Sequence, residues 1–236
     1  MERPYTICHV LTSIDGKLDG PFMGAPECAD ALEAYAAIRT QYDCEAVLYG
    51  TVTVKNGFSA GLAPENLAAD TVYPRTDYFS GRKENHFLIA VDPEGILGWT
   101  SDVVSRKGRP TSQVIEAVTD QVSDAYLSYL RNQGVSYLFA GEKTLDWPLL
   151  CEKLKQNLGI SRLMIAGGGC TDWSCLQAGC LDEVSLVIAP VADGDPDAVS
   201  VFERMSALPV HPPVAFQLAE TKRIKENTLW LRYVVR

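Results

Sequence analysis

RLMIAGGGCTDWSCLQAGCLDEVSLVIAP, residues Arg162 to Pro190, is the stretch on which the fold turns. An apolar strand runs into three consecutive glycines, Gly167, Gly168 and Gly169, and from there into a helix. Glycine lacks Cβ, so the backbone adopts positive φ and lies close to a ligand. The free N–H groups and positive end of the following helix attract an anion. A second strand, Leu181 to Pro190, follows, giving the order strand, glycine loop, helix, strand of open α/β sheets that bind nucleotides. The residues alone leave two readings open: a phosphate loop, or a tight turn packed close to its helix.

With 236 residues, 47% hydrophobic and 22% charged, the chain is long enough to bury a substantial core, and we read it as one globular domain over residues 1–236. A net charge of −9 argues against nucleic acid or an anionic membrane as a partner, since both demand broad positive potential. No apolar run approaches the roughly 20 residues of a membrane span, and MERPYTICHVLTSIDG lacks the organisation of a signal peptide. The expectation is a soluble cytoplasmic protein. Seven scattered cysteines without a Cys-x-x-Cys pair fit reduced, mostly buried thiols. Cys170, Cys175 and Cys180 step around a helix by about 140° each and share no face. No metal site is expected, because His9, His86 and His211 are the only imidazoles.

Working outward, strand and helix periods alternate. Tyr5 to Leu11 reads as a strand ending in the Asp15-Gly16 turn. Pro26 to Tyr42 reads as a helix with Ala31, Leu32, Tyr35, Ile38 and Arg39 along its apolar stripe. Glu45 to Tyr49 is a strand, and Gly50-Thr51-Val52-Thr53 opens a short helix, a second strand-to-glycine-to-helix junction. Phe58 to Asn85 carries proline, glycine and mixed charge without period and reads as a long excursion. Strands follow at His86 to Val91, Thr111 to Val118 and Val135 to Ala140, with helices at Ser123 to Asn132 and Pro148 to Leu158, the last ended by Gly159. Ala215 to Ile224 and Thr228 to Val235 form a terminal antiparallel hairpin.

Four segments in this order, TSIDGKLDG (Thr12–Gly20), YGTVT (Tyr49–Thr53), IAGGG (Ile165–Gly169) and LDEVSLVIAPVADGD (Leu181–Asp195), resemble the RibD-type reductase domain of riboflavin biosynthesis, of the dihydrofolate-reductase-like fold. The resemblance spans most of the chain. It implies a three-layer α/β domain with a mixed, mostly parallel sheet and antiparallel C-terminal strands, assembled as a homodimer and using NADPH. It also implies hydride transfer to a small substrate, a ribosylamino-pyrimidine phosphate whose opened sugar is reduced. A zinc deaminase often accompanies the domain; its His-x-Glu and Pro-Cys-x-x-Cys signatures do not occur here.

The residues can be read beside that resemblance. A dinucleotide needs backbone donors at helix N-termini, and Gly50 to Thr53 and Gly167 to Thr171 offer them, so that the two loops could grip opposite ends of a cofactor. The cofactor-binding set is Thr12, Gly50, Thr51, Thr53, Val91, Asp92, Gly167, Gly168, Gly169, Cys170 and Thr171. Thr53 and Thr171 add hydroxyls without charge, though Thr53 is equally placed to cap its own helix. By the resemblance, Val91 and Asp92 border the adenosine end, where an aspartate would repel a 2′-phosphate. The basic run Ser105-Arg106-Lys107-Gly108-Arg109 is the other candidate for that phosphate, or a solvated loop. Asp15 is the candidate catalytic group, orienting or protonating substrate beside Ser13, or it merely makes the Asp-Gly turn. Lys17 and Arg39 could neutralise a substrate phosphate, or lie on the surface.

Departures from the family pattern fall on the substrate side. The resemblance places a substrate-contacting glutamate where this chain has Ala166, and an Asp-Asp-Pro-x-Leu segment where it has Asn56-Gly57-Phe58-Ser59-Ala60. Losing such polar partners changes which substrate a pocket accepts. Three functions therefore stand: a reductase of the riboflavin-pathway pyrimidine, a reductase of another carbonyl, imine or pteridine compound on the same fold, and a non-catalytic NADPH-binding homodimer.

Overall fold

The computed structural model describes residues 2–69, 71–206 and 208–236. Two compact units emerge: Met1–Pro4 with Glu45–Ser161, and Tyr5–Cys44 with Arg162–Arg236. Five strands fall in each among the described residues.

The second unit is built on β1 (Tyr5–Thr12), which pairs in parallel with β7 (Arg162–Ile165) on one side and β8 (Glu183–Ile188) on the other. All of β1 after Tyr5 is buried, as a strand must be when it is paired on both sides and covered on both faces. The sheet continues antiparallel through β10 (Thr228–Val235) to β9 (Phe216–Ile224), the expected terminal hairpin. Helix α5 (Gly169–Gln177) connects β7 to β8, which flank β1, so the chain crosses over β1 as a parallel connection requires.

Helix α1 (Ala29–Tyr42) is preceded by a single 3-10 turn at Pro26–Cys28, so the expected helix begins later and tighter. Its buried stripe is Ala31, Ala34, Ile38 and Tyr42, whereas Leu32 is 39% exposed. The period is as expected but the face is rotated. Small alanines let the helix approach closely, and Tyr35 turns its ring onto His9 at 4.5 Å and 11°. His9 is wholly buried, with Nδ1 2.9 Å from Ser185 Oγ and Nε2 3.0 Å from the Tyr35 carbonyl. Nearby, Glu183 is held by both forks of Arg232 (2.8 and 2.9 Å), by Tyr5 at 3.0 Å and by Tyr42. Burial pushes its carboxyl up, but Arg232 and Tyr42 outweigh burial and hold it below the ordinary range.

In the first unit, β2 (Ala46–Tyr49), β3 (Phe87–Val91), β5 (Ser112–Val118) and β6 (Ser136–Phe139) pair in parallel in that order. A two-residue strand, β4 (Val103–Val104), runs antiparallel to the start of β5 and carries no pattern that a sequence window could detect. The helices are α2 (Thr51–Gly57), α3 (Asp124–Asn132) and α4 (Trp147–Leu158). Ser123 Oγ accepts from Tyr126 N at 3.1 Å and Asp146 Oδ1 from Leu149 N at 3.0 Å, so both later helices open on side-chain caps. Gly159 closes α4 at φ 69°. The excursion after α2 has no helix among its described residues; it is pinned by backbone pairing of Tyr78 with Tyr137 and of Leu62 with Leu97.

Burial lowers the His9 imidazole from 6.5 to about 4. Between those values the unfolded chain binds a proton that the folded chain refuses, so stability falls as pH drops through this window, by about 3 kcal/mol at its end. Denaturant unfolding of wild type and His9→Gln from neutral to acid pH should show this loss only in wild type; parallel curves would refute it.

Candidate functional site

In the second unit, β1 delivers Thr12 and Ser13, both buried, to a turn in which Gly16 sits at φ 79°. Ser13 Oγ donates to Asp15 Oδ1 at 2.6 Å and accepts from Lys17 N at 2.9 Å. Asp15 itself is exposed, and its carboxylate also accepts from the backbone of Asp193 (3.0 Å) and Gly194 (2.9 Å). The Ser13 bond first, then these two amides, hold its carboxyl well below the usual range. A group so held stays ionised and has no proton to give at neutral pH. The geometry therefore makes Asp15 the tie between the 13–17 turn and the 192–195 loop, and weighs against its protonating role. Lys17 turns its ammonium to the Ala198 carbonyl at 3.0 Å.

The glycine loop begins at Ala166, half-buried at the end of β7. Gly167 and Gly168 stand at φ 103° and 90°, conformations that side chains rarely adopt. Gly169 starts α5, and a Cβ there would lie 2.2 Å from the Ser200 carbonyl oxygen. The same approach brings Glu203 N to Gly169 O at 3.0 Å. Cys170 and Thr171 are half-buried on the first turn. Asp172 follows them, completely buried, and neither carboxyl oxygen has a hydrogen-bond partner. Sequence reading passed over Asp172 and the 198–203 segment; an acid in the first turn after three glycines was the available signal for the former, and nothing in the sequence marked the latter.

In the first unit, Gly50 is the N-cap of α2 and brings no capping side chain. Thr51 Oγ1 donates to the Val91 carbonyl at 2.6 Å, so two residues of the expected cofactor set are tied together where β2 and β3 end. Asp92 does not face outward. Its side chain is buried, and Oδ2 accepts from Ile96 N (2.8 Å), Leu97 N (2.9 Å) and Tyr126 Oη (3.1 Å). Burial pushes its carboxyl up, and the equally buried Glu116, bound to Tyr126 and Trp99, is pushed up as well. The Asp92 carboxyl is thus turned into the core rather than toward a 2′-phosphate. The basic run follows β4, beside the first residues of β5. Arg106 stacks 5.1 Å over Phe58 and Arg109 bonds Tyr49 Oη at 3.0 Å. A cleft of about 120 Å³ lined by Phe58, Trp99, Ser101 and Val104 lies in this unit and is too small for a dinucleotide. No group of three His, Cys, Asp or Glu among the described residues could hold a metal ion, no described helix is long and apolar enough to cross a membrane, and none of the seven cysteines is in a disulfide.

The sequence model of the RibD C-terminal domain matches residues 4–230. The chain belongs to that family. RibD-type membership makes it an oxidoreductase of the riboflavin-biosynthesis reductase kind. A 2,5-diamino-6-ribosylamino-4(3H)-pyrimidinone 5′-phosphate reductase of Methanothermobacter thermautotrophicus is 29% identical over 199 residues, covering 83% of this chain and 82% of that protein. One of the same description from Aquifex aeolicus is 26% identical over 196 residues, 82% and 80% of the two. A pyrimidine reductase-like protein of Corynebacterium diphtheriae shares the fold with a TM-score of 0.69 at 18% identity, over 99% of this chain and 92% of that one.

Asp15→Asn replaces one acceptor oxygen by an amide that faces backbone N–H donors. Limited proteolysis should cut faster within residues 191–198, while the pH–rate profile of the RibD-type reaction falls in height without changing shape. Loss of one limb of the profile would instead identify Asp15 as a titrating catalytic group.

Proposed function

We propose that the protein is an NADPH-dependent reductase of a ribosylamino-pyrimidine phosphate, acting as a soluble cytoplasmic homodimer whose single domain comprises both compact units. The observation that carries this reading is the RibD match from residue 4 to 230 together with an intact glycine loop before α5. The positive φ of Gly167 and Gly168 and the close approach at Gly169 suit backbone donors presented to a pyrophosphate. Gly167, Gly168, Gly169, Cys170 and Thr171 take that role in the second unit; Gly50, Thr51, Thr53 and the backbone of Val91 and Asp92 take theirs in the first. The nicotinamide, when bound, supplies the hydride, and the protein has to orient the opened sugar and exclude water.

Thr12 belongs with the cofactor donors, while Ser13 and Asp15 shape the substrate side, with Asp15 as an ionised anchor. Exposed Leu218 (52%) and Leu229 (40%) on the terminal hairpin support burial against a second copy. Seven cysteines without a disulfide suit a reducing compartment.

A second reading is favoured by Ala166. Its methyl group cannot hydrogen-bond a substrate, so a reductase of a different carbonyl, imine or pteridine compound fits that position better. A non-catalytic NADPH-binding dimer has no such residue in its favour.

Absorbance at the nicotinamide band decides among these. NADPH should be consumed with 2,5-diamino-6-ribosylamino-4(3H)-pyrimidinone 5′-phosphate. Consumption only with other carbonyl or imine compounds would establish the second reading, and saturable binding without any turnover would overturn both. Gly169→Ala, which drives a methyl group against Ser200, should weaken NADPH binding about tenfold or more.

A further inference from the structure

Asp172 is an unusual residue to find beneath an anion-binding loop. It lies on the first turn of α5, is completely shielded from solvent, and leaves both carboxyl oxygens without a hydrogen-bond partner. A carboxylate in that turn would cancel much of the positive end of the helix and repel a phosphate in front of it. The polar groups facing it are the Cys8 thiol from β1 and the Gly167 N–H from the loop itself, and no lysine or arginine acts on it. Around these stand Cys170 and Cys175 on α5, and Glu203 from the segment packed on Gly169. Two acids and three thiols therefore surround the start of the helix without a compensating cation among them. An isolated buried carboxylate is costly, and the cheaper state is the neutral acid.

We propose that Asp172 works as a neutral, proton-bearing residue beneath the glycine loop, and that its ionisation drives the cofactor phosphate away from the N-terminus of α5. The inference rests on the cofactor reading above and adds a residue to it. Protonated, Asp172 leaves the Gly168–Cys170 backbone donors and the helix dipole unopposed; deprotonated, it places a negative charge within one helical turn of the phosphate. Burial raises its carboxyl to about 8, close enough to neutrality for modest alkalinity to change its state. Desolvation raises Cys8 and Cys170 above the ordinary thiol value, which favours their neutral form. Because binding and proton uptake are linked, a bound anion favours the protonated acid further.

The test is NADPH affinity by fluorescence titration of wild type, Asp172→Asn and Cys175→Ser. Between about pH 6.5 and about pH 9.5, wild type and C175S should weaken about tenfold, while D172N, neutral throughout, should stay level. Equal dependence in D172N, or its disappearance in C175S, overturns the proposal. Wild-type binding that is tight and flat in pH also overturns it, and leaves the cofactor reading standing. Failure of wild type to bind NADPH at about pH 6.5 sinks the cofactor reading and this inference together. Should D172N not fold, carboxyl-labelled aspartate NMR of wild type replaces it. One resonance titrating near 8, and moving higher with NADPH, is expected; its absence refutes the proposal.

Discussion

Burial of β1 on every side is the constraint from which the second unit follows. A strand with both edges paired has no backbone group left over, so polar side chains on it must find partners among its own neighbours. His9 does so with Ser185 and the Tyr35 carbonyl, which fixes the rotation of α1 on the sheet. At the carboxyl end of the strand, Ala189 N bonds the Thr12 carbonyl at 2.8 Å, and beyond it the turn closes through Ser13. Asp15 then reaches the 192–195 loop because that turn holds it there. The position of the glycine loop has the same origin, since β7 enters alongside β1 and its pairing stops at Cys8–Ile165 while β1 runs on to Thr12.

This arrangement separates two duties that a sequence motif blends together. Gly167 and Gly168 serve through their own torsions, whereas Gly169 serves through what lies against it, the Ser200 carbonyl. Asp15 and Asp92 are both acids at strand ends, yet one is exposed and ionised, the other buried and raised. Their difference is environment, not residue type. Amide donors and solvent keep the first charged; removal from water works against charge on the second.

Elements bounded by glycine, proline and capping residues were legible in the sequence, because those residues act locally: Asp15-Gly16, Ser123, Gly159 and the glycine triplet each stand where expected. What escaped depends on distant parts of the chain. Leu32 lost its place in the α1 stripe because alanines set the approach to the sheet, and the inward turn of Asp92 is decided by Ile96, Leu97 and Tyr126. The basic run lies beside the start of β5 because of β4, a pairing of two residues with no periodicity to read. Asp172 was hidden for a related reason: burial of a polar residue is a property of the packed state.

The Tyr126 hydroxyl carries a single hydrogen, and Asp92 Oδ2, both oxygens of Glu116 and the Leu97 carbonyl all stand within 3.1 Å of it. One hydrogen cannot serve four acceptors. Unless one carboxyl brings a hydrogen of its own, two negative charges face each other in a water-free core. Closing β3, β5 and α3 around this trio thus raises the pull of both carboxyls on solvent protons. Assembly of that core is coupled to acid–base chemistry, with the buffer as a participant.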